Sequence, residues 1–229
     1  MGLTYAIPDL HGRLDLLERA LREILEHAAG RDACVVALGD YVDRGPNSRE
    51  IVELLTTWPF PSLRLIALKG NHEAMMWEAC NNLVETDWWL ENGGDATLAS
   101  YGGLRMGEAL RTLIPERHLQ WIGKLPTIYA DPHRIFVHAG VDPRLPLNQQ
   151  NERTLLWKRY PKGSSLGHGM RHVVHGHHAN EQGPVVCKGR TNLDVMAWRT
   201  GRLVVGVFCD DKAGGAVEFL EVRGNSSAG

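Results

Sequence analysis

Residues 33–45 read Ala-Cys-Val-Val-Ala-Leu-Gly-Asp-Tyr-Val-Asp-Arg-Gly: a short apolar run, a glycine, then two aspartates and an arginine. The run Ala33 to Leu38 has the length and β-branched content of a buried strand, so the polar residues after it sit at a strand end. The same layout recurs on either side. Leu3 to Ile7 leads into Asp9-Leu10-His11, and Leu63 to Leu68 leads into Gly70-Asn71-His72-Glu73. Between these runs the spacing turns helical. Leu14, Leu17, Leu21, Ile24 and Leu25 share one face, with Glu18, Arg19, Arg22 and Glu23 largely on the other. Ser48 to Thr57 predicts a shorter helix that stops before Trp58-Pro59. Strand, loop and helix in repetition imply parallel strands with helical crossovers. Residues just past the carboxyl ends of such strands converge on one crevice.

Further short apolar runs, Ile135 to Val137 and Val173 to Val174, read as strands in the second half. The last third changes character. Val185 to Lys188, Asn192 to Met196, Leu203 to Phe208 and Ala216 to Val222 are joined by short, mostly Gly-containing connections, which predicts an antiparallel meander. The expected fold is α/β, with two mixed sheets packed against each other and flanked by helices. One domain is expected over residues 1–223, with a helical insertion at 85–125 near the site and a small, polar, disordered tail at 224–229.

Composition narrows the function classes. The chain has 229 residues, enough for a well-buried core, and a formal net charge of -2, which argues against nucleic acid as a partner. No apolar run approaches the roughly 18 residues of a membrane span, so no membrane partner is expected. The four cysteines, Cys34, Cys80, Cys187 and Cys209, are scattered without a Cys-x-x-Cys pair, which points to a reducing compartment. No basic-then-apolar leader precedes Asp9, and the expected location is the cytoplasm.

Eleven histidines are many for this length and direct attention to metal ligation. Asp9, His11, Asp40, Asn71 and His72 follow three early strands, and His138 and His177 follow two later ones, in Val137-His138-Ala139-Gly140 and His175-Gly176-His177-His178. Mixed Asp, Asn and His ligation suits manganese, iron or zinc, and offers too few carboxylates for a calcium cage. Each piece alone has an ordinary explanation. Asp-x-His after a strand is common, Asn71 could cap a helix, and Asp43-Arg44 could be a surface ion pair. Their joint occurrence, in order and at strand ends, outweighs those explanations.

Asp9-Leu10-His11, Gly39 to Gly45, Gly70 to Glu73, Val137 to Gly140 and Gly176-His177 together resemble the phosphoprotein phosphatase group of the calcineurin-like metallophosphoesterases, most closely its small bacterial and phage members. The likeness runs over about residues 3 to 200 and implies the four-layer sandwich of that family. It also implies two divalent metal ions, with manganese favoured over iron or zinc. Asp9, His11 and Asp40 would hold one; Asp40, Asn71, His138 and His177 would hold the other, so Asp40 bridges. His72 would be the general acid, Asp43 would orient it, and Arg44 would bind phosphate oxygens. In Leu156-Trp157-Lys158-Arg159, Arg159 would be a second phosphate clamp. The implied reaction is phosphomonoester hydrolysis by in-line attack of a metal-bridging hydroxide on phosphoproteins, phosphopeptides or aryl phosphates.

Symmetrical diadenosine tetraphosphate hydrolysis is the alternative; the Glu after His72 favours the protein-phosphatase form, since the dinucleotide form typically has Asp there. Cyclic-nucleotide phosphodiester cleavage ranks third, and a catalytically dead phosphate-binding module is disfavoured because every ligand position is filled. Two features stay open. His178 reads as a neighbour of the metal ligands rather than a ligand. Residues 87–103, with Trp88, Trp89, Leu90, Leu98 and Tyr101, read as packing residues or as a wall of the substrate groove.

Overall fold

The structure, a computed structural model, describes residues 2–81, 86–103 and 110–226. Its strands are β1 (Leu3–Ile7), β2 (Ala33–Ala37), β3 (Leu63–Ala67), β4 (Ile128–Ala130), β5 (Arg134–Val137), β6 (His172–His175), β7 (Val185–Val186), β8 (Arg190–Asn192), β9 (Arg202–Cys209) and β10 (Glu218–Arg223). They form two five-stranded sheets, in the orders β10-β9-β1-β2-β3 and β4-β5-β6-β8-β7. In the first, β1, β2 and β3 run parallel while β9 and β10 run antiparallel at one edge. In the second, β5, β6 and β8 run parallel between antiparallel edges β4 and β7.

Alternation along the strands sets the layers, because successive side chains point to opposite faces. Ala6, Val36, Leu38, Phe136, Val174 and Phe208 point between the sheets and form one apolar cluster. Tyr5, Ile7, Val35 and Ala37 point the other way, onto helices α1 (Leu14–Ala28), α2 (Ser48–Thr57) and α3 (Asn71–Asn81). Ile135, Val137 and Val173 cover the outer face of the second sheet with Leu155, from α8, the Glu152–Trp157 helix. Leu16, Leu17 and Ile24 of α1 are fully buried, and each stabilises the fold by roughly 1.5–3 kcal/mol. Arg134 is buried between the layers; its guanidinium donates to the Cys209 and Lys212 carbonyls and to Asp131, which meets the need of a buried charge for partners.

The expected meander is not one sheet. β8 pairs in parallel with β6, whereas β9 pairs with β1 in the other sheet, so the chain changes sheets between Asn192 and Arg202. The run Asn192 to Met196 ends as a strand at Asn192, since Met196 turns to φ 58° and opens the short helix α9 (Ala197–Thr200). β4 is a three-residue, half-exposed edge strand, not among those expected from the sequence.

Within residues 85–125, the described part carries α4 (Thr86–Trp89), a wide helical turn at Leu90–Gly94, α5 (Asp95–Ser100), α6 (Leu110–Leu113) and α7 (Glu116–Lys124). Residues 85 and 104–109 lie outside the described residues. The start of the supposed tail is anchored: the Gly224 N–H donates to Gly201 at 2.8 Å, and Asn225 accepts from Arg13 at 2.9 Å. Residues 227–229 lie outside the described residues. Among the described helices none is long and apolar enough to cross a membrane.

Candidate metal centre and active site

β1, β2, β3, β5 and β6 deliver their carboxyl-end loops to one crevice. The loops reach it through strained backbone. His11, Asp40, Asp43, Arg44 and His177 all take positive φ, at 44°, 55°, 74°, 69° and 61°. Left-handed conformations of this kind cost on the order of 1 kcal/mol each and persist only where surrounding bonds over-determine them. Glu73 supplies that restraint at Asp40, while the Asp43 N–H is held by the Ser48 and Thr97 hydroxyls and that of Arg44 by the Gly93 carbonyl. From the first turn of α3, the Glu73 carboxylate accepts the N–H groups of Asp40, Tyr41 and Gly70 at 2.8–2.9 Å and of Val42 at 3.3 Å. Gly70 must be glycine, because a Cβ there would lie 2.2 Å from Asp40 Oδ1.

A cavity of about 370 Å³ is lined by Asp9, His11, Asp40, Arg44, Asn71, His72, Arg159 and His177, together with Trp157, Asp194 and Trp198. Two donor groups meet there, and within each the ligand atoms lie within 4.8 Å of one another: His11 with Asp40 and His72, and Asp40 with His138 and His177. Asp40 belongs to both. Its Oδ2 is 3.5 Å from His11 Nε2, and its Oδ1 is 3.4 Å from His138 Nε2.

Asn71 Oδ1 joins the second group, 2.8 Å from His138 Nε2 and 2.9 Å from His177 Nδ1. Asp9, expected beside His11, stands in neither group. Its carboxylate lies across Gly176 and accepts the His177 backbone N–H at 2.9 and 3.0 Å, at the edge of the same cavity as His11.

The donors fit metal ions. Burial first, then neighbouring imidazoles, hold His11 and His138 well below the usual histidine range; burial and Arg159 push His177 down to about 4. All three are neutral at pH 7. The Nδ1–H of His11 donates to the Val42 carbonyl and that of His138 to the Leu38 carbonyl, each at 2.9 Å, so both Nε2 lone pairs face inward. For His138 that lone pair meets the Asn71 carbonyl oxygen at 2.8 Å, acceptor against acceptor, which a cation held by both resolves. Burial, then Asp194, raise Asp9 well above its ordinary range; burial, then Asp9 and Glu73, do the same to Asp40. Positive charge between them relieves that penalty.

His72 is held differently. Its Nδ1 lies 2.6 Å from Asp43 Oδ2, and burial lowers its pKa against the pull of that carboxylate. Arg44 donates to His11 Nε2 at 2.7 Å and to His72 Nε2 at 3.0 Å, so its guanidinium sits within the donor set. Arg44 and a metal ion are therefore alternatives at the His11 lone pair. Arg159 is exposed at the cavity edge. His178 lies outside both donor groups and lines a neighbouring cavity.

Several contacts here escape the sequence. Trp89 Nε1 lies 3.0 Å from both Asp43 oxygens, and Thr97 Oγ1 donates to Asp43 Oδ1 at 2.7 Å. Trp88 stacks on Trp157 and is 45% exposed, whereas Tyr101 is buried against His118, so the aromatic stretch divides into a surface pair and packing residues. Asp194 is pushed up to about 6 by burial and faces the cavity from a run that reads as a strand. No local pattern marks Thr97 or Asp194, and none ties Trp89 to Asp43 or Trp88 to Trp157. Thr97→Val combined with Trp89→Phe is expected to lower kcat about tenfold with KM unchanged, by loosening Asp43. Steady-state kinetics on phenyl phosphate check it, and a change confined to KM refutes it.

Comparison with known proteins agrees with this geometry. The chain is 31% identical over 118 residues to serine/threonine-protein phosphatase 2 of Escherichia coli strain K12, covering 52% of this chain and 50% of that protein. It is 26% identical over 156 residues to a symmetrical bis(5'-nucleosyl)-tetraphosphatase of Stutzerimonas stutzeri strain A1501, covering 66% and 48%. It thus spans about half the length of these curated relatives. The fold superposes on a metallophosphoesterase from Sphaerobacter thermophilus with a TM-score of 0.60 at 22% identity, covering 96% of this chain and 88% of that one. The family model described as calcineurin-like phosphoesterase matches residues 4–200, and the chain belongs to that family.

Proposed function

We propose that this protein hydrolyses phosphomonoesters, phosphoproteins, phosphopeptides and aryl phosphates among them, with two divalent metal ions, manganese favoured. The observation that carries this reading is the pair of donor groups sharing Asp40, with His72 and Asp43 beside them. His11 and Asp40 would hold one ion, with Asp9 reaching it from the same cavity; Asp40, Asn71, His138 and His177 would hold the other. When bound, the ions supply charge neutralisation for the phosphate dianion and activate a water for attack.

The chain's own residues do the rest. Arg44 and Arg159 bind phosphate oxygens, a role the guanidinium fork suits. Asp43 fixes the His72 ring through Nδ1 and favours its imidazolium form, from which Nε2 would give a proton to the leaving oxygen once Arg44, which donates to that nitrogen here, has turned to the phosphate. Four free cysteines support a reducing, cytoplasmic setting.

Hydrolysis of diadenosine tetraphosphate is a second reading, supported by the tetraphosphatase relative that aligns over 66% of this chain. Chelation followed by manganese is expected to abolish and then restore phenyl phosphate turnover. One manganese-loaded sample assayed on a phosphoserine peptide, diadenosine tetraphosphate and a phosphodiester separates the readings. Turnover that survives exhaustive chelation sinks both.

A further inference from the structure

A second cavity, of about 560 Å³, opens beside the first and shares Arg159 and Ala179 with it. The loop at 159–163 forms one wall, His178 and Asn180 form another, and Arg190 and Asn192 of β8 line it as well. Among the described residues its lining includes Arg159, Lys162 and Arg190 and no carboxylate.

Arg190 is the telling member. It is 6% exposed, its Nε donates to the Ser164 carbonyl at 3.1 Å, and its Nη1 donates to His175 Nε2 at 3.1 Å. Its guanidinium lies 4.6 Å over the Tyr160 ring. These contacts fix the fork, yet none of them carries negative charge. A buried cation without a counter-ion is electrostatically incomplete, and a low-dielectric wall strengthens its pull on an anion. Arg159 and Lys162, both exposed and without an ion-pair partner among the described residues, add to the same field.

We propose that this cavity binds a second phosphate group of the substrate, so that the preferred substrates carry two phosphates, one in each cavity. The inference rests on the phosphatase reading of the first cavity and names the substrate class that site would take. Arginine matches phosphate oxygens in a bidentate fork, and Arg159, at the shared edge, lies between the two groups.

The test compares hydroquinone bisphosphate with phenyl phosphate, which differ by one phosphate on the same ring, using the manganese-loaded full chain. The wild type is expected to favour the bisphosphate in kcat/KM by about tenfold or more, through KM, since one charge-assisted contact is worth about that factor. Lys162→Gln should reduce the preference severalfold and Arg190→Gln should remove it, both leaving phenyl phosphate turnover unchanged. If Arg190→Gln fails to fold, Lys162→Gln on its exposed loop decides alone.

Calorimetric binding of the same two compounds gives the preference without turnover. Absent hydrolysis of phenyl phosphate thus counts against the phosphatase reading, and absent binding preference against the second cavity. A wild-type ratio within about twofold, the statistical factor for two equivalent phosphates, overturns the proposal, as does a Lys162→Gln ratio equal to wild type. A parallel pair of phosphoserine peptides, flanked by glutamates or by glutamines, separates the sources of charge. A preference in the peptide pair only overturns the phosphate assignment and gives the cavity to acidic side chains.

Discussion

Replacing His72 with Asn is expected to lower kcat by about 10²- to 10⁴-fold, the range for loss of a general acid, while both metal ions stay bound. The imidazole lies with Nδ1 2.6 Å from Asp43 and with Nε2 toward the cavity. An Asn side chain can still donate to Asp43, and the backbone N–H at this position still reaches Asp40 Oδ1, 3.0 Å away, so the loop keeps its shape. What disappears is a proton donor for the leaving oxygen. The loss should therefore be steeper for phenyl phosphate than for 4-nitrophenyl phosphate, whose leaving group needs little help.

His72 also lies within reach of His11 and Asp40 as a donor group, which offers a rival role as ligand. Metal content decides between them: a variant short of one ion makes His72 a ligand, and wild-type turnover would falsify the acid outright.

Glu73→Ala is expected to cost several kcal/mol of stability, with Tm falling by roughly 10 °C or more. Four backbone N–H groups end on this carboxylate, and all four donors come from the two loops that carry Asp40 and Asn71. A buried donor left without an acceptor costs about 1–3 kcal/mol, and in a chain of this size each kcal/mol moves Tm by about 2–4 °C.

Glu73→Gln is expected to fall between wild type and Ala. Oε1 takes Tyr41 and Val42, and Oε2 takes Asp40 and Gly70, so an amide satisfies one pair and sets its own NH2 against the other. The positive φ at Asp40 would then lose its restraint, and metal affinity should fall together with stability. Calorimetric melting and metal titration check both; a Glu73→Ala protein that melts with the wild type refutes the assignment.

The parts of this protein legible in its sequence are those written locally. A buried parallel strand must be a short apolar run, and the residue that meets the crevice must come directly after it. Asp9, His11, Asp40, Asn71, His138 and His177 could therefore be picked from strand ends, and α1 and α2 from the spacing of leucines. Which strand pairs with which could not. The runs after Val185 alternate and turn like a meander, but pairing is chosen by long-range packing, and β8 finds β6 while β9 finds β1.

The same reason hides the support of the site. Thr97 is 54 residues from the Asp43 it bonds, and Trp89 is 46 residues away. Arg190 meets Arg159 at one cavity only because β8 joins the second sheet. Asp9 could be read as a strand-end carboxylate, while its turn toward the His177 N–H required both sheets in place. The sequence by itself determined which candidate groups reach the crevice, because each lies within a few residues of the strand that carries it. Tertiary structure alone decided their partners, their charge environment and the second cavity, because those depend on distances between residues that no spacing along the chain encodes.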